Sequence, residues 1–444
     1  MMRIIRTELR RSNALTLALL ITAVSVAALG TSVGLWREQW LRFTYNHATA
    51  LFVLAPLAMA GGAMLGRRER RTRVEELIGS TGRPSWQRIS PTAAAMMVAV
   101  AVAHLLVFAG GAIWVARNAT YTPAGALFVP LTGVVVLTGA AWLGLAAGRA
   151  WPSLLVPPAL AVVGLAMQVA LAERTSDPTS RLGNLALVPQ PQSYDWEAVT
   201  GRAVLGHLVL GAGLAAAGLL LAAAASWRPR AAAGAVLAGA TAIAVIVPGT
   251  ASARYYVDLD AQRLVCADGA PQVCVTAVHA NRLPEVVAPA RQALALLAKL
   301  PGAPKRAVEW RSDVVYVPGS DEPGGFRAAP GTVQFQLDQD GGDVDPQLVD
   351  SILNGAGTTY NGCPRIDEVA KYAAGAWVKG TDDLQPADGR IAYGDQFHAE
   401  ISDTVGKLRS LPKAEQIRRV TALRDAAAAC RTDLLPILTG GARP

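Results

Sequence analysis

The chain has 444 residues, of which 52% are hydrophobic and only 17% charged, with a mean hydropathy of +0.30. A soluble enzyme carries about a quarter charged residues, so this composition excludes a wholly soluble protein. The net charge of +8 is no argument for nucleic acid, because the basic excess is confined to the apolar half. Residues 1–253 hold 20 Arg, no Lys and 9 acidic residues, whereas 254–444 carry a net charge of −3.

Residues 1–12 open the chain as a short basic amphipathic segment, with Ile4, Ile5 and Leu9 set against Arg3, Arg6, Arg10 and Arg11. Seven windows without Asp, Glu, Lys or Arg follow, at about 13–36, 43–66, 89–116, 118–148, 150–172, 203–227 and 231–253. Each is long enough for a bilayer span, which needs about 20 apolar residues. The expected fold is therefore an α-helical polytopic bundle of about seven transmembrane helices over 13–253. An α+β domain over 254–444 follows it.

Arginine placement orients the bundle. With the N-terminus cytoplasmic, inner segments hold 14 arginines and outer segments six. An odd number of spans then places the tail outside the cell membrane. Trp36, Trp114, Trp151 and Trp227 sit at span ends, where interfacial anchors are expected. Small residues inside the spans, such as Gly61, Gly62, Gly139, Gly144, Gly148, Gly211 and Gly213, are suited to close helix approach. Ionisable groups inside the windows are confined to His47, His104 and His207. Of these, His104 is nearest mid-window, and it and His207 are the intramembrane polar candidates. The outer connection 173–202 has an apolar centre at 182–188 and reads as a short interfacial or re-entrant helix.

The cytoplasmic connection 67–90 reads RRERRTRVEELIGSTGRPSWQRIS after the second window. It resembles the segment between the second and third spans of ABC-2-type (type V) ABC transporter permeases. In that family a basic, Glu-containing helix leads into a pattern like E-L-L-x-S-x-P-x-S/T-R. Arg70, Arg73, Glu75, Glu76, Leu77, Ile78, Ser80, Thr81, Arg83 and Trp86 carry the likeness, with Pro84 shifted from the usual proline. The resemblance implies an ATPase-coupling loop that docks on a separate ATP-hydrolysing subunit. It also implies a second permease copy or a sister permease, ATP and Mg on the partner subunit, and export from a bacterial cell. The 1–12 segment resembles that family's elbow helix, and 173–202 its outer helical hairpin. A seventh span and an outer domain depart from the usual six-span pattern, so the resemblance covers about residues 1–230.

No G-x-x-x-x-G-K-[ST] loop occurs, so the chain is not expected to hydrolyse ATP or to bind a cofactor itself. In the tail, strands are expected at 255–259, 264–266, 273–278, 307–310, 314–317 and 332–337. Helices are expected at 283–300, 346–354, 365–378 and 413–430, the last with Ile417, Val420, Leu423 and Ala427 as its buried stripe. All four cysteines, Cys266, Cys274, Cys363 and Cys430, lie in the tail and are expected to form two disulfides. The hairpin turned through Asp268 and Gly269 favours Cys266 with Cys274, leaving Cys363 with Cys430. No H-E-x-x-H is present, so a zinc peptidase is disfavoured and no metal is expected. Asp338, Asp340, Asp343 and Asp345 miss the EF-hand spacing and read as a solvated acidic turn. The competing reading is a membrane-anchored extracytoplasmic receptor or interaction protein.

Overall fold

The computed structural model describes residues 14–68, 84–175, 177, 179–187, 194–315, 328–337, 347–358, 367–384 and 394–440. It divides into two compact units, one running to Tyr256 and the other beginning at Val257.

The first unit contains seven helices long and apolar enough to cross a membrane: α1 (Ala14–Thr31), α2 (Trp40–Gly66), α3 (Ser85–Asn118), α4 (Val129–Ala150), α5 (Val156–Glu173), α6 (Gly201–Ala223) and α7 (Trp227–Ile246). Helices of this length and hydropathy suggest a multi-pass membrane protein. α1 finishes at what is called here the distal end of the bundle.

Their bounds depart from the charge-free windows wherever backbone chemistry intervenes. The fourth helix begins at Val129, not near 118. Ala119 is extended after α3, and Pro123 and Pro130 precede or open the helix, where a missing N–H costs nothing. The 182–188 segment is not a longer helix but a single 3₁₀ turn, Leu182–Leu185. Trp114, Trp151 and Trp227 are exposed, as anchors would be. Trp36 is not: it is buried against Phe43 and donates its indole N–H to Leu29 O at 2.9 Å.

α4 is the most buried of the seven and packs between α2 and α6. The contact is backbone against backbone. A Cβ on Gly144 would lie 1.9 Å from Met59 O, and one on Gly62 1.9 Å from Ala141 O. On the opposite face, a Cβ on Gly211 would meet Val136 N at 2.8 Å, and one on Gly139 would meet Gly211 O at 2.5 Å. Among apolar helices in lipid such approach replaces the missing hydrophobic drive with dispersion.

The second unit is built on a four-stranded sheet in the order β3-β4-β5-β6. Its strands are β3 (Leu264–Cys266), β4 (Gln272–Thr276), β5 (Arg306–Glu309) and β6 (Thr332–Phe335). β1 (Glu197–Val199) and β2 (Tyr255–Val257) form a separate pair. β3 pairs antiparallel with β4, and β4, β5 and β6 run parallel. The register sets Cys266 opposite Cys274, and the two form the expected disulfide. Cys430 is also disulfide-bonded. Cys363 lies outside the described residues.

Helices α8 (Leu283–Leu297), α9 (Leu348–Leu353), α10 (Glu368–Lys379), α11 (Asp395–Arg409), α12 (Lys413–Ala428) and α13 (Leu435–Thr439) complete this unit. Val273, Val275, Ala307, Val333 and Phe335 of the sheet bury against Leu294 and Leu297 of α8 in one core. Asp367 caps α10 by accepting from Ala370 N at 3.2 Å, and Gly380 ends it at φ +92°. The stripe of α12 is oriented as expected, with Val420, Leu423 and Ala427 buried and Ile417 packed against the same core.

Two expectations fail here. α11 is additional to the expected helices, since Ile401, Val405 and Leu408 are its only buried apolar positions in a polar stretch. Val314 is not in a strand, because Ser312 Oγ accepts from Val314 N and donates to Val314 O, a local arrangement that competes with a ladder.

Replacing Gly144 by Ala should force α2 and α4 apart and lower stability by about 1–3 kcal/mol. Gly30→Ala, where a Cβ meets nothing within 4 Å, should stay within about 0.5 kcal/mol. Thermal unfolding of both variants in detergent measures the difference, and equal midpoints would contradict the packing described.

Candidate functional sites

Of the coupling-loop residues, Arg70, Arg73, Glu75, Glu76, Leu77, Ile78, Ser80, Thr81 and Arg83 lie outside the described residues, as do 1–13 and the 338–346 turn. Trp86 is described, and it projects from the first turn of α3 with 61% of its surface exposed. Beside it Ser85 Oγ donates to Ala223 O at 2.7 Å, fixing the start of α3 to the end of α6. A cavity of about 680 Å³ opens at the same end of the bundle, between Met59, Gly66, Leu143, Trp151, Arg149 and Arg230.

Deeper in the bundle, the two intramembrane candidates part company. His104 pairs with His47, Nε2 to Nε2 at 3.1 Å, with ring centroids 4.3 Å apart. Phe43 and Phe108 pack around the pair. A Cβ at Gly133 would lie 2.2 Å from His104 Nε2, so the absence of one makes room for the imidazole. Two imidazole nitrogens at hydrogen-bond distance need one N–H and one lone pair, so the contact holds only with a single proton between them. Both Nδ1 atoms are buried without a partner among the described residues. The pair offers two nitrogen donors, but among the described residues no group of three or more His, Cys, Asp or Glu could hold a metal ion.

His207 lies elsewhere, on the wall of a smaller cavity of about 90 Å³ at the distal end. Its Nε2 is 3.2 Å from Ala186 O, and since a carbonyl only accepts, that nitrogen carries the proton. The neighbouring turn is pinned by side chains. Asn184 Nδ2 donates to Val245 O and Gly249 O at 2.9 Å each, and Leu187 N donates to Gln168 Oε1 at 2.8 Å. Arg254 closes the cavity and donates from Nη2 to Ser180 O at 3.0 Å. Burial holds its guanidinium below the usual arginine range, opposed by Tyr255 beside it.

A buried ion pair completes the distal end. Asp195, 1% exposed, accepts from Arg42 and from Gln39 Nε2, the latter at 3.0 Å. It ties the segment before β1 to the start of α2.

In the second unit, Glu309 centres a buried polar cluster. Glu309 Oε2 accepts from Thr276 N at 2.7 Å and Thr276 Oγ1 at 2.8 Å, while Oε1 is 2.5 Å from His279 Nδ1. All three residues are at most 2% exposed. Both carboxylate oxygens are satisfied from inside, so the cluster stitches β4 to β5 and does not present a nucleophile to substrate.

The windows singled out His104 and His207 because ionisable groups are rare at bilayer depth. They did not reveal that His47, 57 positions away, is the partner of His104. Arg254 read only as the first charge after the last span, and Asn184 gave no signal in an apolar stretch. No family model, curated protein or solved structure matches the chain.

Replacing Glu309 by Ala strands three buried donors and should destabilise the protein by about 3–5 kcal/mol. Denaturant unfolding monitored by the tryptophans of the second unit checks this. A loss under about 1 kcal/mol would mean that the cluster is solvated.

Proposed function

We propose that the chain is the membrane-spanning permease subunit of an ABC transporter, acting as an exporter. In this reading it resides in a bacterial cell membrane with its N-terminus cytoplasmic and the unit from Val257 extracytoplasmic. A separate ATPase subunit, holding ATP and Mg, docks on 67–90. A second permease copy or a sister permease completes the pathway.

The observation that carries the proposal is α3. It begins at Ser85, inside the 67–90 segment that resembles the family's coupling loop, and continues for 34 residues. At 1.5 Å per residue that is about 50 Å of helix, longer than a bilayer core is thick, with Pro91 interrupting its hydrogen-bond ladder only near the start. A push at its first turn is delivered along a stiff rod to His104 and Phe108. The glycine-packed α2, α4 and α6 supply the frame against which the rod moves. Closure of the ATPase would shift α3 against that frame and alter the His47–His104 contact.

Co-expression with an ATPase encoded beside this chain should yield a complex whose ATP hydrolysis falls at least about tenfold when Glu76 is replaced by Lys and Arg83 by Glu. That loss corresponds to about 1.4 kcal/mol or more of coupling. A complex that never forms, or one indifferent to both substitutions, would refute the proposal.

The second unit, with its own core and its disulfide, favours a second reading as a membrane-anchored receptor. Deletion of 257–444 then abolishes activity while the loop substitutions leave it unchanged.

A further inference from the structure

The distal cavity contains a cation without a counter-ion. Arg254 is only 6% exposed, and Ser180 O is the sole hydrogen-bond acceptor its side chain meets among the described residues. Its Nε is buried with no partner among the described residues. No carboxylate lies within ion-pair reach of it among the described residues. The contrast with Arg42, which is partly buried at the same end and neutralised by Asp195, is direct.

Holding a guanidinium out of water without an anion costs several kcal/mol, which a fold keeps only where something repays it. The geometry around Arg254 is that of a receptor site and not of a packing defect. Gly183 stands where any Cβ would come within 2.9 Å of Nη2, leaving room for the guanidinium. Thr132 and Asn184 line the same cavity, and Thr132 Oγ1 and Asn184 Oδ1 are also buried without a partner among the described residues. One can donate and the other can only accept. The rest of the wall is mostly apolar, including Leu51, Val136 and Leu187, with His207 and Tyr255 as its other polar members. A volume of about 90 Å³ holds about three waters' share of liquid, the size of one compact headgroup and not of a whole lipid.

We infer that this cavity binds the oxyanion of an amphiphile, a carboxylate or phosphate carrying an apolar chain. Arg254 Nε and Thr132 Oγ1 donate to the anion, and Asn184 Oδ1 accepts from a hydroxyl where the headgroup carries one beside the anion. Guanidinium is suited to this task because its planar donor fork matches two oxygens of either group. The chain leaves through the apolar wall. A resident membrane lipid and an amphiphile passing through the protein share this chemistry. The inference does not rest on the permease reading, since binding is measured without any ATPase subunit.

The test uses the full chain in nonionic detergent, with dioctanoyl phosphatidylglycerol, octanoate and inorganic phosphate as separate probes. Thermal stabilisation and native mass spectrometry read the binding. Wild-type protein should bind at least one of the two amphiphiles more tightly than inorganic phosphate. Arg254→Gln should weaken that binding at least tenfold, and Arg202→Gln, an exposed arginine near the start of α6, should leave it unchanged. Val204→Phe fills the cavity without touching charge and should also abolish binding, which covers the case in which Arg254→Gln fails to fold. Phosphatidylglycerol that co-purifies and is lost in Val204→Phe identifies a resident lipid, whereas binding only on addition identifies an exchanging ligand. Equal binding by wild type and both cavity variants overturns the inference, as does inorganic phosphate binding as tightly as either amphiphile.

Discussion

The bundle depends on how closely α4 approaches its neighbours. Among apolar helices surrounded by lipid there is little to gain from hiding apolar surface, so association must come from dispersion at short range. Gly144 and Gly148 let α4 press on the carbonyls of Met59 and Ala63, and Gly62 and Gly66 return the contact from α2. Gly139, Gly211 and Gly218 repeat the arrangement toward α6. With three helices locked in this way, α5 packs on α2 and α7 on α6, and both keep most of their apolar surface outward. α3, the longest helix, is joined to this frame by fewer contacts than α2, α4 and α6 make among themselves through α4.

Polar groups in such a bundle are expensive, and their distribution is accordingly uneven. The His47–His104 pair stands within it, and the others gather at the distal end, where α2, the 182–187 turn and the segment after α7 meet. There Asp195 neutralises Arg42, Asn184 satisfies two carbonyls left open at the end of α7, and Gln168 satisfies a loop amide. Each bond removes a group that lipid could not solvate. Arg254 departs from this economy, since among the described residues no carboxylate pairs with it and its Nε has no partner. The second unit follows a different rule. A common apolar core between sheet and helices holds it together, and one satisfied Glu309 cluster fixes the register between neighbouring strands.

Legibility followed how local each signal was. The charge-free windows became apolar helices because a run of some twenty apolar residues has few alternatives in structure. The Cys266–Cys274 bridge was readable because two short alternating runs and an Asp–Gly turn set both cysteines opposite each other within nine residues. Where a side chain competes with the backbone, pattern alone misled. Ser312 diverts Val314 from a strand, and the Asn184 and Gln168 bonds accompany a single 3₁₀ turn where an apolar centre suggested a helix. Trp36 shows the same limit, since its place at a window end suggested an interface and its actual partner, Phe43, puts it in an aromatic cluster.

By itself the sequence determined the two-part organisation, the seven apolar helices, the confinement of cysteines to the second part and the basic segment before α3. These are properties of composition over contiguous stretches, and hydropathy or charge along the chain is enough to define them. Only the tertiary structure decided that His104 meets His47 and not His207, that Asp195 reaches back to Arg42, and that Arg254 is left beside a cavity without an anion. Those facts depend on which helix faces bring residues dozens to more than a hundred and fifty positions apart into contact. Close packing through glycine sets those faces, and no local periodicity records it.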